Sequence, residues 1–167
     1  MIACLDVQYS NTSGVAACVV ASNWYASQAL NVYATTIHNI APFEAGAFYK
    51  RELPCLLQVL NLVQEALDFI VVDSYVWLDN QREKKGLGAY LYEALDCKIP
   101  IIGVAKTKFE GADNITELVY RGNSQNPLYV TSIGVELDWA AQQIYMMHGD
   151  YRLPTLLKEA DTLCRSF

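Results

Sequence analysis

The sequence predicts one α/β domain over residues 1–167, a mixed sheet with helices on both faces. Three observations carry that expectation. At the start of the chain, three apolar, β-branched runs follow one another across short polar links, the pattern of an antiparallel meander. From Leu53 onward, amphipathic stretches of helical period alternate with continuous apolar runs, the pattern of buried parallel strands joined by helices. A hydrophobic fraction of 53% against 18% charged residues supplies enough apolar surface for a sheet covered on both sides, and leaves no segment disordered by composition.

Taken in order, residues 2–9 read as a strand, and Asn11-Thr-Ser-Gly14 is a turn signal. Val15 to Ala21 is a second strand, and Ala29 to Ile37, rich in Val, Tyr, Thr and Ile, is a third. A loop spans Pro42 to Gly46. Leu56, Leu57, Leu60, Val63 and Leu67 recur at helical spacing, which predicts a helix over Leu53–Leu67 with Pro54 in its first turn, where a missing N–H costs nothing. Phe69-Ile-Val-Val-Asp73 is a buried strand ending in a carboxylate. Asp79 to Lys85 is a charged loop, Leu87 to Leu95 a helix, and Ile99 to Val104 another buried strand. Residues 112–114 and 121–126 bracket a variable region. Leu128 to Ile133 continues as a strand, and residues 136–147 and 154–164 are helical by pattern.

The net charge of −6 counts against nucleic acid as a partner, because phosphate binding is driven by Lys and Arg releasing counterions. A local basic patch can still act within an acidic whole. The start of the chain lacks a signal-peptide pattern, and no apolar run approaches the roughly 20 residues that cross a bilayer. Cys4, Cys18, Cys55, Cys97 and Cys164 are odd in number and widely spaced. They read as reduced core thiols of a cytoplasmic protein, without zinc spacing.

Four charged residues are placed for chemistry. Asp6 sits inside an apolar strand, where a charge is costly unless paired or metal-bound; its ordinary reading is an outward-facing strand residue. Asp73 ends a buried strand, at the crevice where α/β proteins bind ligands, or serves as a cap. Glu52 completes an acidic trio, or favours a helix start through the dipole. Together the three fit a hard divalent cation, which takes oxygen ligands. Lys106, after the strand ending at Val104, is a point charge for phosphate or a solvated strand end.

The ordered motifs around these residues resemble the Endonuclease V family, the deoxyinosine 3′-endonucleases. Leu5-Asp6-Val7 is similar to the family's first strand. Pro42-Phe-Glu-Ala-Gly-Ala-Phe-Tyr-Lys-Arg-Glu-Leu-Pro54 resembles its Pro-Tyr-Ile-Pro-Gly…Phe-Arg-Glu-x-Pro block. Val72-Asp73, Leu87-Gly88 and Pro100-Ile-Ile-Gly-Val-Ala-Lys106 resemble Val-Asp-Gly…Leu-Gly…Pro-Thr-Ile-Gly-Val-Ala-Lys. Asn126-Pro-Leu-Tyr129, Tyr151-Arg-Leu-Pro154 and Ala160-Asp161 extend the match toward the C-terminus. The resemblance implies an RNase H-like fold and Asp6, Asp73 and Glu52 as ligands of Mg²⁺ or Mn²⁺, with Lys106 near the scissile phosphate. It implies cleavage 3′ to hypoxanthine (inosine) in DNA or RNA, as in DNA repair. The nucleic-acid contacts it implies are Phe43 and Gly46 in the wedge loop and Ser74 and Tyr75 beside the base; Arg82, Lys84 and Lys85 add local positive charge.

The departures are specific. Ser74-Tyr75-Val76 stands where the family has Gly-His-Gly, so the base pocket is expected to be narrower. Asp79-Asn80 replaces His-Pro in a loop about four residues longer. No histidine falls near Ser132-Ile-Gly-Val135, where Gly-His-Arg is usual; the two histidines, His38 and His148, lie elsewhere. The chain starts at the first strand, without the family's usual N-terminal helix, and so reads as a diverged, short member. Three functions remain open at this point: a metal-dependent endonuclease, a homologue that binds nucleic acid or another partner without cutting it, and an α/β enzyme acting on a small metabolite.

Overall fold

The computed structural model describes residues 1–10 and 12–166; Asn11 of the expected turn lies outside them. Seven strands form one sheet in the order β3-β2-β1-β4-β5-β7-β6. They are β1 (Ile2–Tyr9), β2 (Ser13–Ala21), β3 (Asn31–His38), β4 (Phe69–Val72), β5 (Ile101–Ala105), β6 (Glu117–Val119) and β7 (Leu128–Ile133). β1, β2 and β3 pair antiparallel as the meander the sequence predicts, while β1–β4 and β4–β5 are parallel. β7 then runs antiparallel to β5, and β6 antiparallel to β7. The short strand β6 was not foreseen. Three residues, two exposed and one buried, carry too little pattern, and pairing with β7 makes them a strand.

Four helices cover the sheet: α1 (Tyr49–Leu60), α2 (Leu87–Ala94), α3 (Leu137–Met146) and α4 (Thr155–Cys164). Strand alternation divides the core in two. Ala3, Leu5, Ile70 and Val72 pack with Cys55, Leu56 and Val59 of α1 and Leu91 of α2. Cys4, Val71, Ile102 and Val104 pack with Ala140 and Ile144 of α3 and Leu156, Leu157 and Ala160 of α4. Successive strand residues thus feed opposite layers, as the period of two demands.

Two expectations need correction. The first helix starts at Tyr49 and stops at Leu60, so Pro54 lies inside it rather than in its first turn. The turn begins early because Lys50, Arg51 and Glu52 donate their N–H groups back to Ala47 and Phe48. Val63 and Leu67 pack against the core from the connection beyond the helix, which mimics helical spacing. Cys97 is exposed, in a left-handed backbone position after α2, whereas the other four cysteines are buried and free.

Segment 74–76 is held tightly between β5 and α2. A Cβ on Gly103 would meet Ser74 O at 2.4 Å, and one on Gly86 would meet Tyr75 O at 2.4 Å, so neither position accepts a side chain. The buried N–H of Val76 donates to Thr131 Oγ1 at 2.9 Å.

Candidate active site

Parallel register brings the first two acids together. Leu5 pairs with Val72, and the next residue on each chain, Asp6 and Asp73, emerges at the same level of the sheet. β5 continues the row, and Lys106 follows its last residue. The three therefore meet at the carboxyl edge of the parallel strands, where crossover connections leave a crevice.

Two further carboxylates approach this edge from the helical layers. Glu52 comes from α1 and is only 6% exposed. Asp161 comes from α4 and is also 6% exposed. Asp161 belongs to the family-like Ala160-Asp161 pair, to which the sequence alone assigns no role. The signal was present: Leu156, Leu157, Ala160 and Cys164 form a buried stripe, and Asp161 lies within it, where helical period calls for an apolar residue.

The charges interact strongly. Burial, followed by the negative charge of Asp73, pushes the Asp6 carboxyl up to about 6, against the backbone N–H of Val7, which donates to Oδ1 at 2.8 Å. Burial, then the charges of Asp6 and Asp73, pushes Glu52 up to about 8, only partly offset by Arg51. Asp161 goes the other way. Hydrogen bonds from Lys158 and Arg165, at 2.8 and 3.0 Å, outweigh its burial and lower its pKa. Lys106 Nζ donates to Asp73 Oδ2 at 2.5 Å, and this contact with the neighbouring acids raises its pKa despite burial.

As the side chains stand, Lys106 is the counter-charge of Asp73. The cavity bounded by Asp6, Asp73 and Lys106 measures about 10 Å³. Among the described residues, no three His, Cys, Asp or Glu side chains are gathered closely enough to share an ion. The donor set nonetheless fits a hard cation: it is all oxygen, like charges crowd it, and Glu52 Oε2 is buried without a hydrogen-bond partner.

The remaining expected contacts fall in three places. Phe43 and Gly46 lie in the loop between β3 and α1. Phe43 is 67% exposed, and Gly46 takes φ +78° with open space around it. Glu44 beside them is paired with Lys50 at 2.9 Å. Ser74 is half-buried, whereas the Tyr75 ring is buried and its hydroxyl donates to Thr107 O and accepts from Phe109 N–H, both at 3.0 Å. Tyr75 forms one wall of a cleft of about 570 Å³ shared with Phe109, Thr116, Tyr120, Pro127 and Tyr129. Arg82 and Lys84 are exposed on a loop ordered by Asp79, but Lys85 is committed to Glu93 at 2.6 Å. His148 Nδ1 contacts Thr155 Oγ1 at 2.9 Å, joining the end of α3 to the start of α4, and His38 is exposed on β3. Neither histidine belongs to the acidic edge.

A mixed sheet with an antiparallel meander, parallel central strands and acids at their carboxyl edge defines an RNase H-like α/β protein. The Endonuclease V family model matches residues 1–118, and the chain belongs to that family. Endonuclease V of Streptomyces avermitilis is 28% identical over 153 aligned positions, covering 79% of this chain and 65% of that protein. Endonuclease V of Streptomyces coelicolor is 27% identical over 183 aligned positions, covering 97% and 76%. The chain thus spans just under two thirds of the first relative's length. The crystal structure of the S. avermitilis protein superposes with a TM-score of 0.84 at 25% identity, covering 98% of this chain and 79% of that one. Endonuclease V of Ciona intestinalis, in complex with a 24mer DNA containing an inosine followed by a ribo-adenosine, superposes with a TM-score of 0.81 at 17% identity, covering 98% and 83%. No helix among the described residues is long and apolar enough to cross a membrane.

Proposed function

We propose that this chain is a metal-dependent endonuclease that hydrolyses the phosphodiester bond 3′ to inosine in DNA or RNA, a DNA-repair activity. The observation that carries the reading is the meeting of Asp6, Asp73 and Lys106 at one sheet edge, within the electrostatic reach of a buried Glu52 that has one oxygen without a partner, in a chain of the Endonuclease V family. Asp6, Asp73 and Glu52 are the residues that would hold Mg²⁺ or Mn²⁺, with Asp161 close enough for its charge to act on Asp6. The bound ion would supply an acidified water and offset charge developing on the phosphate. With Asp73 holding the ion, Lys106 Nζ, now paired with Asp73, would serve as a point charge for the phosphate. Phe43, exposed and apolar, suits insertion between bases.

The test is nicking of inosine-containing DNA and RNA with Mn²⁺ or Mg²⁺. Asp6→Asn and Asp73→Asn should each remove the activity while leaving the fold intact. Absence of metal-dependent cleavage by the wild type across both substrate types would end this reading.

A second reading is favoured by the filled cavity beside Lys106 and by Ser132-Ile133-Gly134 in place of the histidine motif. It is a catalytically weakened homologue that serves as a nucleic-acid-binding or partner-binding module. Salt-sensitive binding of the same oligonucleotides without turnover would select it.

A further inference from the structure

We infer that Arg152 is a positioning residue that sets the place of Lys106, an inference that rests on the proposed role of Lys106 at the phosphate. The ladder between β5 and β7 has Ala105 opposite Tyr129 as its last rung toward the site. One step further, β5 continues into Lys106 and β7 into its first residue, Leu128, which is preceded by Pro127. Proline has no N–H, so the sheet cannot extend its hydrogen bonding there by the usual pattern. Arg152 closes this gap. Its Nη2 donates to Lys106 O at 2.5 Å and to Pro127 O at 2.7 Å. One nitrogen with two hydrogens thus ties the two strand ends together directly behind the lysine that meets Asp73.

The support under Arg152 is itself fixed. Arg121 is buried and sends its guanidinium to the carbonyls of Tyr145, Met147, Gly149, Tyr151 and Arg152, pinning the whole connection between α3 and α4. The planar guanidinium is pre-organised, so less entropy is lost per hydrogen bond formed than with a lysine in its place. Without the Nη2 bonds, two carbonyls at the strand ends lose a charged donor, and the Lys106 carbonyl loses its hydrogen bond beyond the last rung. Lys106 would then find Asp73 less reliably, and a misplacement on the order of 1 Å can cost about a hundredfold in rate.

The experiment has one arm independent of activity. Crystal structures of the wild type and of Arg152→Met are compared for the Lys106–Asp73 ion pair, with Arg152→Lys as a second variant should the first not fold. Loss of the pair in Arg152→Met, with at least partial recovery in Arg152→Lys, is expected; an intact pair in both overturns the inference. The other arm is a double-mutant cycle on nicking. Arg152→Met should lower kcat by about ten- to a hundredfold with KM for the oligonucleotide within about twofold. In a Lys106→Met background the same change should add little; losses that simply multiply would refute action through Lys106. If the wild type nicks nothing, the endonuclease reading fails, while the crystallographic arm still decides whether Arg152 positions Lys106.

Discussion

Glutamine at position 52 should make the metal-free protein more stable at pH 8 while removing its proposed catalytic ability. Glu52 is almost fully buried, one of its oxygens has no partner, and its carboxyl is pushed from 4.5 up to about 8 by burial and by Asp6 and Asp73. A raised pKa means the folded state holds the proton more tightly than the unfolded one. The stability that follows is fully present below about pH 4.5 and is lost as pH rises through about 8. At roughly 1.4 kcal/mol per tenfold change in proton activity, ionising Glu52 costs the fold on the order of 4 kcal/mol at pH 8 and above. Glutamine escapes that cost but leaves a buried amide to satisfy, at about 1–3 kcal/mol. The net gain expected for Glu52→Gln is therefore about 1–3 kcal/mol at pH 8, vanishing or reversing at pH 5. Urea unfolding in a chelator, at both pH values and on both proteins, measures this directly. Saturating Mn²⁺ should then stabilise the wild type more than the variant. A wild-type-to-variant difference that is the same at pH 5 and pH 8 would refute the argument.

Four other outcomes follow from the geometry. Replacing Lys106 by methionine should leave stability within about 1 kcal/mol, since the pair is partly exposed, and lower the nicking rate, as single-turnover kinetics would show. Tyr75→Ala should open the cleft and free the Thr107 carbonyl and Phe109 N–H; preference for inosine over guanosine at the same site should fall by about tenfold or more, because the wider pocket admits the extra 2-amino group. The same change should cost about 3 kcal/mol by urea unfolding, from the lost buried ring. Thr131→Val should cost about 1–3 kcal/mol, because the Val76 N–H is left buried without its acceptor.

The amino-acid pattern alone carried the meander, the parallel strands ending at Asp73 and near Lys106, and the last two helices. These elements rest on local signals: period-two or period-3.6 apolar spacing, β-branched runs and polar links, all written within a dozen residues. The first helix was shifted because a proline inside a helix looks, in one dimension, like a proline at its start. β6 was invisible because its three residues become a strand through pairing with β7, a contact between distant segments. Which residues might carry chemistry was also readable, since a carboxylate in an apolar run is costly and therefore conspicuous. Only the tertiary structure could show that Glu52 and Asp161 reach the edge from opposite layers, that Asp73 is paired with Lys106, and that Tyr75 bonds the loop behind it. Charge interactions depend on separation in space and on burial, and neither quantity is encoded at any single position along the chain.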